Sequence, residues 1–132
     1  MSSTTNLKIS KPAVEHVQKV VTLNGAADDF DATIGGMLPL SVAGSADITL
    51  TRVQGLNPVF KFIGLLTGNI NVLFPVSLGC ARQFTIWNAT TGAFSLTVKT
   101  TTAGSVGVAI TQTKKVMCAH DGTDVFKVSA EV

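Results

Sequence analysis

The sequence predicts an all-β fold: a single antiparallel β-sandwich or jelly-roll-like domain behind an extended N-terminal arm. Three observations carry that expectation. From residue 38 onward, apolar residues alternate with Thr, Asn, Ser or Lys in short runs, and turn residues separate these runs at roughly the 8–12-residue interval of a sandwich or barrel. Thr and β-branched residues fill the runs, as suits half-wet pleated surfaces. No long 3.6-residue periodicity is available for a crossover helix, which argues against a parallel α/β sheet.

Taken in order, residues 1–12 read as a polar arm ending at Pro12, in which Leu7 and Ile9 have the spacing of a short strand. Such a segment buries too little to order itself, so it is expected to pack on its own domain or on a neighbouring subunit. The β-domain is placed at residues 13–132. Its first stretch reads two ways: Val14, Val17 and Val21 fit helical spacing, whereas Val17, Lys19, Val21 and Leu23 fit a strand face. The β-branched content favours a strand from about Val17. Asn24-Gly25 reads as a turn, and Asp28, Asp29 and Asp31 as a loop leading to Gly35-Gly36.

Strand patterns follow at Ile48–Leu50, Ile70–Phe74 (stopped by Pro75), Phe84–Asn88, Phe94–Lys99, Val106–Ile110, Val116–Ala119 and Val125–Ser129. Val59–Leu66 is almost continuously apolar and reads as a strand buried on both faces. No linker divides the chain, and no internal repeat of useful length is evident.

Composition narrows the function. The chain of 132 residues is 45% hydrophobic and 14% charged, against roughly a quarter charged in typical soluble domains. Few charges leave little repulsion between copies, so a homo-oligomer or larger assembly is expected. The net charge of +2 and the scattered basic residues, with no run beyond Lys114-Lys115, give no nucleic-acid signature. No apolar run is long enough for a membrane-spanning helix, and no leader precedes the domain, so synthesis in a cytoplasm is expected. Cys80 and Cys118 read as reduced thiols, with Cys118 in an apolar run.

The chemistry-bearing residues are sparse. His120 beside Asp121 looks like a catalytic pair, but neighbouring strand residues face opposite ways and Asp121-Gly122 opens a turn, so an exposed turn histidine is expected. His16, His120 and the two cysteines are too scattered for a zinc site. Asp28, Asp29 and Asp31 lack the glutamate and oxygen spacing of a calcium loop. Asn88-Ala89-Thr90 matches a glycosylation acceptor but reads as a strand exit. Trp87, the sole Trp, is expected in core or interface packing. No catalytic residue, cofactor or metal is expected.

The ordered segments Leu38–Gly44, Asp47–Thr51, Phe62–Thr67, Ile70–Pro75 and Phe84–Thr100, followed by Gly107-Val108, Lys114-Lys115 and Asp121-Gly122-Thr123, resemble a module recurrent in bacteriophage tail-fibre and other virion structural proteins. The hairpin with Asn88, Thr90-Thr91-Gly92 and Phe94, and the closing Asp121-Gly122-Thr123 turn, are its most distinctive parts. The resemblance implies a non-enzymatic, oligomeric virion structural protein. Related tail fibres are long and multi-modular, whereas this chain is one module behind a short arm. The expected role is therefore a capsid cement or decoration subunit bound to the major capsid protein. A tail-fibre, head-fibre or tail-adaptor component is the alternative, and a carbohydrate-binding module a second. Leu7, Ile9, Val14 and Trp87 are the expected partner contacts.

Overall fold

A computed structural model of the chain describes Asn6, residues 17–76 and residues 81–132, with Val17–Leu23 described by backbone alone. Apart from Asn6, the expected arm lies outside the described residues, as do Leu7, Ile9 and Val14. The expectation of an antiparallel all-β sandwich is overturned. The chain is mixed α/β, with two mixed parallel and antiparallel sheets and a helix ahead of them.

That helix, α1 (Val17–Gly35), occupies the stretch expected to hold a strand, a turn and an acidic loop. Leu23, Ala26, Ala27 and Ala32 favour helix, which outweighs the cost of about 1 kcal/mol for Gly25 in its interior. The helix stops at Gly36, whose N–H donates to the Ala32 carbonyl at 3.0 Å. A side chain at Gly36 would collide with the Asn57 amide oxygen and the Ala32 carbonyl. None of the described α1 side chains belongs to the hydrophobic core.

The strands are β1 (Met37–Ser41), β2 (Ile48–Thr49), β3 (Val59–Leu65), β4 (Ile70–Phe74), β5 (Arg82–Thr91), β6 (Leu96–Thr100), β7 (Val108–Ile110), β8 (Lys115–His120) and β9 (Val125–Lys127). A short helix, α2 (Arg52–Gly55), turns the corner between β2 and β3. The five-stranded sheet runs β1-β3-β5-β8-β9, with β1, β3 and β5 parallel. The four-stranded sheet runs β2-β4-β6-β7, with β2, β4 and β6 parallel. Antiparallel pairs β5–β8, β8–β9 and β6–β7 complete the two layers.

From β1 to β6, successive strands alternate between the sheets. The connection between two parallel strands of one sheet is therefore the intervening strand of the other. Parallel pairing normally calls for a helical crossover. Here the facing layer takes that part, so the lack of crossover helices did not exclude parallel strands. Each turn of this coil takes a similar length of chain: Met37 lies beside Val59 (22 residues on) and Val59 beside Thr85 (26), while Ile48 lies beside Val72 (24) and Ile70 beside Leu96 (26).

Backbone bonds carry the stacking into the corners, with Val42 N–H on the Ile63 carbonyl, Leu66 N–H on Thr91 and Ile70 N–H on Ser95. Asp47 accepts from the Asn71 backbone at 2.9 Å and from its side-chain amide at 3.2 Å. Asn69 accepts from Ser95 N–H at 2.9 Å, one turn further on. At α2, Thr51 and Gln54 form a reciprocal capping box. The Arg82 guanidinium donates to the carbonyls of Gly55 (3.2 Å) and Leu56 (2.6 Å) where α2 ends.

The core lies between the two sheets. Phe60, Phe62, Phe84 and Ile86 project from the larger, and Ile70, Val72, Phe74, Leu96 and Val98 from the smaller. Phe74 meets Phe60 edge-on at 5.1 Å and stacks on Phe84 at 4.4 Å. Each such pair adds about 0.5–1.5 kcal/mol beyond the area it buries. Strand β3 departs from expectation, because only one of its faces is buried: Ile63 and Leu65 point outward and are exposed.

Candidate functional site

The inward polar residues come first, since they include the sequence's catalytic suspects. His120 ends β8 opposite Arg82. It is buried, not an exposed turn residue, because its ring packs against Phe74 and Phe84 with both centroids 6.0 Å away. Its Nδ1 accepts from Gly122 N–H at 3.3 Å, which leaves the ring proton on Nε2, an atom without a hydrogen-bond partner. Burial holds its pKa below the ordinary histidine value, Arg82 adds to that, and Asp121 opposes it.

Asp121 does not orient the imidazole. Its carboxylate accepts from the backbone of Thr123 (2.9 Å) and Asp124 (2.8 Å), which fixes the turn and holds its pKa below the usual carboxylate range. The adjoining hollow of about 200 Å³ between Arg82, Gln83, His120 and Phe126 thus has no activated base within it.

The other loop groups are engaged in the same way. Asp124 accepts from Val106 N–H, and Glu131 from the backbone and hydroxyl of Thr111, which keeps the Glu131 carboxyl below its ordinary value. A wider groove of about 530 Å³ lies beside Phe94, but its Asn69 and Gln112 amides already bond to Ser95 and Gly92. Asn88, of the glycosylation-like tripeptide, faces inward within β5 and is fully buried. Its amide donates to the Ile110 carbonyl at 2.7 Å, and its oxygen accepts from the Thr90 hydroxyl and N–H.

Cys118 is buried in the core, and desolvation pushes its thiol up to about 11. Among the described residues, no three His, Cys, Asp or Glu side chains gather as a metal site, and no helix is long and apolar enough to cross a membrane. His16 and Cys80 lie outside the described residues. Asp28, Asp29 and Asp31 sit on α1, where Asp29 pairs with Arg52 at 3.2 Å and Asp31 accepts from Asn6 N–H at 3.0 Å.

The outer face of the five-stranded sheet is different in kind. Strand alternation puts Met37 and Pro39 of β1, Val59, Lys61, Ile63 and Leu65 of β3, Thr85 and Trp87 of β5, and Lys115 and Met117 of β8 on this side. Met37 and Leu65 are 50% and 58% exposed, so the described residues leave a broad apolar surface uncovered. Register aligns Pro39, Lys61, Trp87 and Lys115 in one cross-strand row. The ammonium groups of Lys61 and Lys115 lie 4.1 and 4.5 Å from the Trp87 ring centroid. Such contacts are worth about 0.5–1 kcal/mol each at exposed sites and hold the indole in a fixed pose. No Asp or Glu lies on these outward rows, and neither lysine is salt-bridged among the described residues.

Trp87 alone of the expected partner contacts falls among the described residues, and it sits at the centre of this face. Sequence reasoning missed its two lysines. The strand register reveals them: the parallel β3–β5 pairing brings Lys61 beside Trp87 across 26 residues, and the antiparallel β5–β8 pairing brings Lys115 to its other side. Comparison with protein-family models, curated proteins and solved structures found no match.

Proposed function

We propose that this chain is a non-enzymatic structural subunit of a bacteriophage virion, laid on the capsid shell as a decoration or cement protein. One observation carries the contact-surface part of that reading: the outer face of the five-stranded sheet, apolar, centred on Trp87 and bearing Lys61 and Lys115 without an acid on its described outward rows. Such a face fits a partner surface that presents carboxylates among apolar side chains. The described loop carboxylates support the same reading, since they hold backbone turns instead of converging on a cavity. The virion assignment rests on the resemblance of the segments from Leu38 to Lys127 to phage structural modules.

The test is attachment to emptied capsids, followed by sedimentation of the particles. Replacing Trp87 with Ala removes an anchor of the hot-spot kind, worth about 2 kcal/mol or roughly 30-fold in affinity. Lys61→Glu with Lys115→Glu should weaken attachment further while the domain stays folded. Wild-type protein that binds no capsid, or variants that bind as well as wild type, would refute the decoration reading. A few to a few dozen copies per particle, instead of hundreds, would move the protein to the tail or a fibre.

A further inference from the structure

The turn that follows His120 fastens the two sheets to each other. The carbonyl of Gly122 accepts from the Thr102 hydroxyl at 3.1 Å, and that of Thr123 from the buried Thr100 hydroxyl. Asp124 accepts from Val106 N–H at 2.8 Å, and the Val106 carbonyl accepts in turn from Val125 N–H at 3.0 Å. Thr100 ends β6 and residues 101–107 lead to β7, so these four bonds run from the smaller sheet to the β8–β9 turn of the larger one. Gly122 supplies the left-handed backbone that the turn needs, with φ of +89°.

One hydrogen bond sets that turn against the core: Gly122 N–H donates to His120 Nδ1 at 3.3 Å. It exists only while the imidazole is neutral, because a protonated ring carries N–H at both nitrogens and would set two donors face to face. The surroundings favour the neutral ring. His120 is 2% exposed, packs against Phe74 and Phe84, and has no hydrogen-bond partner for Nε2. Arg82, across the β5–β8 pairing, repels an added proton. Asp121 attracts one, but its exposed carboxylate is taken up by the N–H groups of Thr123 and Asp124. Asp124 is engaged with Val106, while β4 and β9 bring the uncharged Phe74 and Val125 to the histidine.

We propose that His120 is a proton-operated latch: taking up a proton releases the turn 121–124, and with it the fastening of residues 101–107, while the coil of β1 to β6 stays wound. The proton breaks the Gly122 bond and places a charge among aromatic rings beside Arg82, and both costs disappear once the ring swings out to water. The open form titrates near the ordinary value of about 6.5 and the closed form lower, so each pH unit between the two values raises the ratio of open to closed molecules about tenfold. The latch is therefore closed at neutral pH and opens progressively as pH falls below about 6.5. It is built within one chain, so it stands whether or not the chain coats a capsid.

Amide hydrogen exchange of the purified chain, corrected for the intrinsic effect of pH, reads the latch. Between pH 7 and pH 5 the open fraction reported by the amides of Gly122, Val106 and Val125 should rise severalfold. At pH 5 these amides should exchange at least about tenfold faster than those of Phe60 and Ile86 in the core, and low urea should leave their rates unchanged, as an opening smaller than global unfolding requires. His120→Gln keeps an acceptor for Gly122 and takes no proton, and His120→Phe keeps the volume of the ring. Both should lose the pH dependence at Val106 and Val125, and one folded variant of the two is enough to separate His120 from His16, the other histidine. Turn amides equally protected at both pH values, a pH dependence that persists in the His120 variants, or turn amides that exchange no faster than the core would each overturn the proposal.

Discussion

Asn88 offers the sharpest test of the fold's internal logic, because its two amide ends do different work. The nitrogen end donates to the Ile110 carbonyl, tying β5 to the end of β7, while the oxygen end accepts from Thr90. Asn88→Ala strands a buried carbonyl and leaves Thr90 without its acceptor. At about 1–3 kcal/mol per unsatisfied buried group, the loss should be about 2–4 kcal/mol. For a domain of this size that is on the order of 10 °C in melting temperature.

Asn88→Asp is more informative still. The aspartate keeps an acceptor for Thr90 but turns an oxygen, and a buried charge, toward the Ile110 carbonyl. It should be less stable than Asn88→Ala at pH 7. Burial would raise its folded-state pKa, so the folded protein binds the extra proton first and stability must rise as pH falls. Protonated, the side chain regains a donor for Ile110. Urea denaturation of both variants at pH 7 and pH 5 measures this. An Asn88→Asp protein as stable as Asn88→Ala at pH 7, with no gain on acidification, would refute the assigned roles of the two ends.

Three further outcomes follow from the same geometry. His120 has a depressed folded-state pKa, so its contribution is complete above the unfolded value near 6.5 and is lost as pH falls through the folded value. Wild-type protein should lose stability in denaturant titrations between pH 7 and pH 5, and His120→Phe should flatten that loss. Gly92, with φ of +101°, has the Leu66 carbonyl 2.5 Å from where a Cβ would stand; Gly92→Ala should cost about 1–3 kcal/mol in urea unfolding. The Cys118 thiol, buried and pushed up to about 11, should resist alkylation at pH 8 in native protein and react at once in urea, as read by mass spectrometry.

Much of the strand content was legible in the sequence, because alternation reports faces directly. Ile70, Val72 and Phe74 point inward as their spacing implied, and so do Phe84, Ile86 and Asn88. Pairing was not legible. Alternation is identical for parallel and antiparallel neighbours, and the repeat that would have betrayed the coil lies in register offsets of 22–26 residues, not in repeated residue types. The helix was obscured because Val17, Val20 and Val21 argue locally for a strand and Asn24-Gly25 argues for a turn, while the alanines that follow carry the helix through. His120 was misplaced because Asp121-Gly122 marks a turn, and the aromatic pocket one residue earlier comes from β4 and β5. The Trp87 face was half legible: the residue was named, and its flanking cations were not.

The alternation of β1 to β6 between two layers also shapes how the polypeptide can be made. In that part of the molecule no two consecutive strands are bonded to each other, so no hairpin there can form on its own. Emerging from a ribosome, β1 has no partner until β3 has been synthesised, some twenty residues later. The shortest-range pairing in either sheet is β8–β9, where Cys118 meets Lys127. Loop-closure entropy favours such local contacts first. When the complete chain refolds, the β8–β9 hairpin is therefore expected to close before the 22–26-residue turns of the coil, an order that pulse-labelled hydrogen exchange would read.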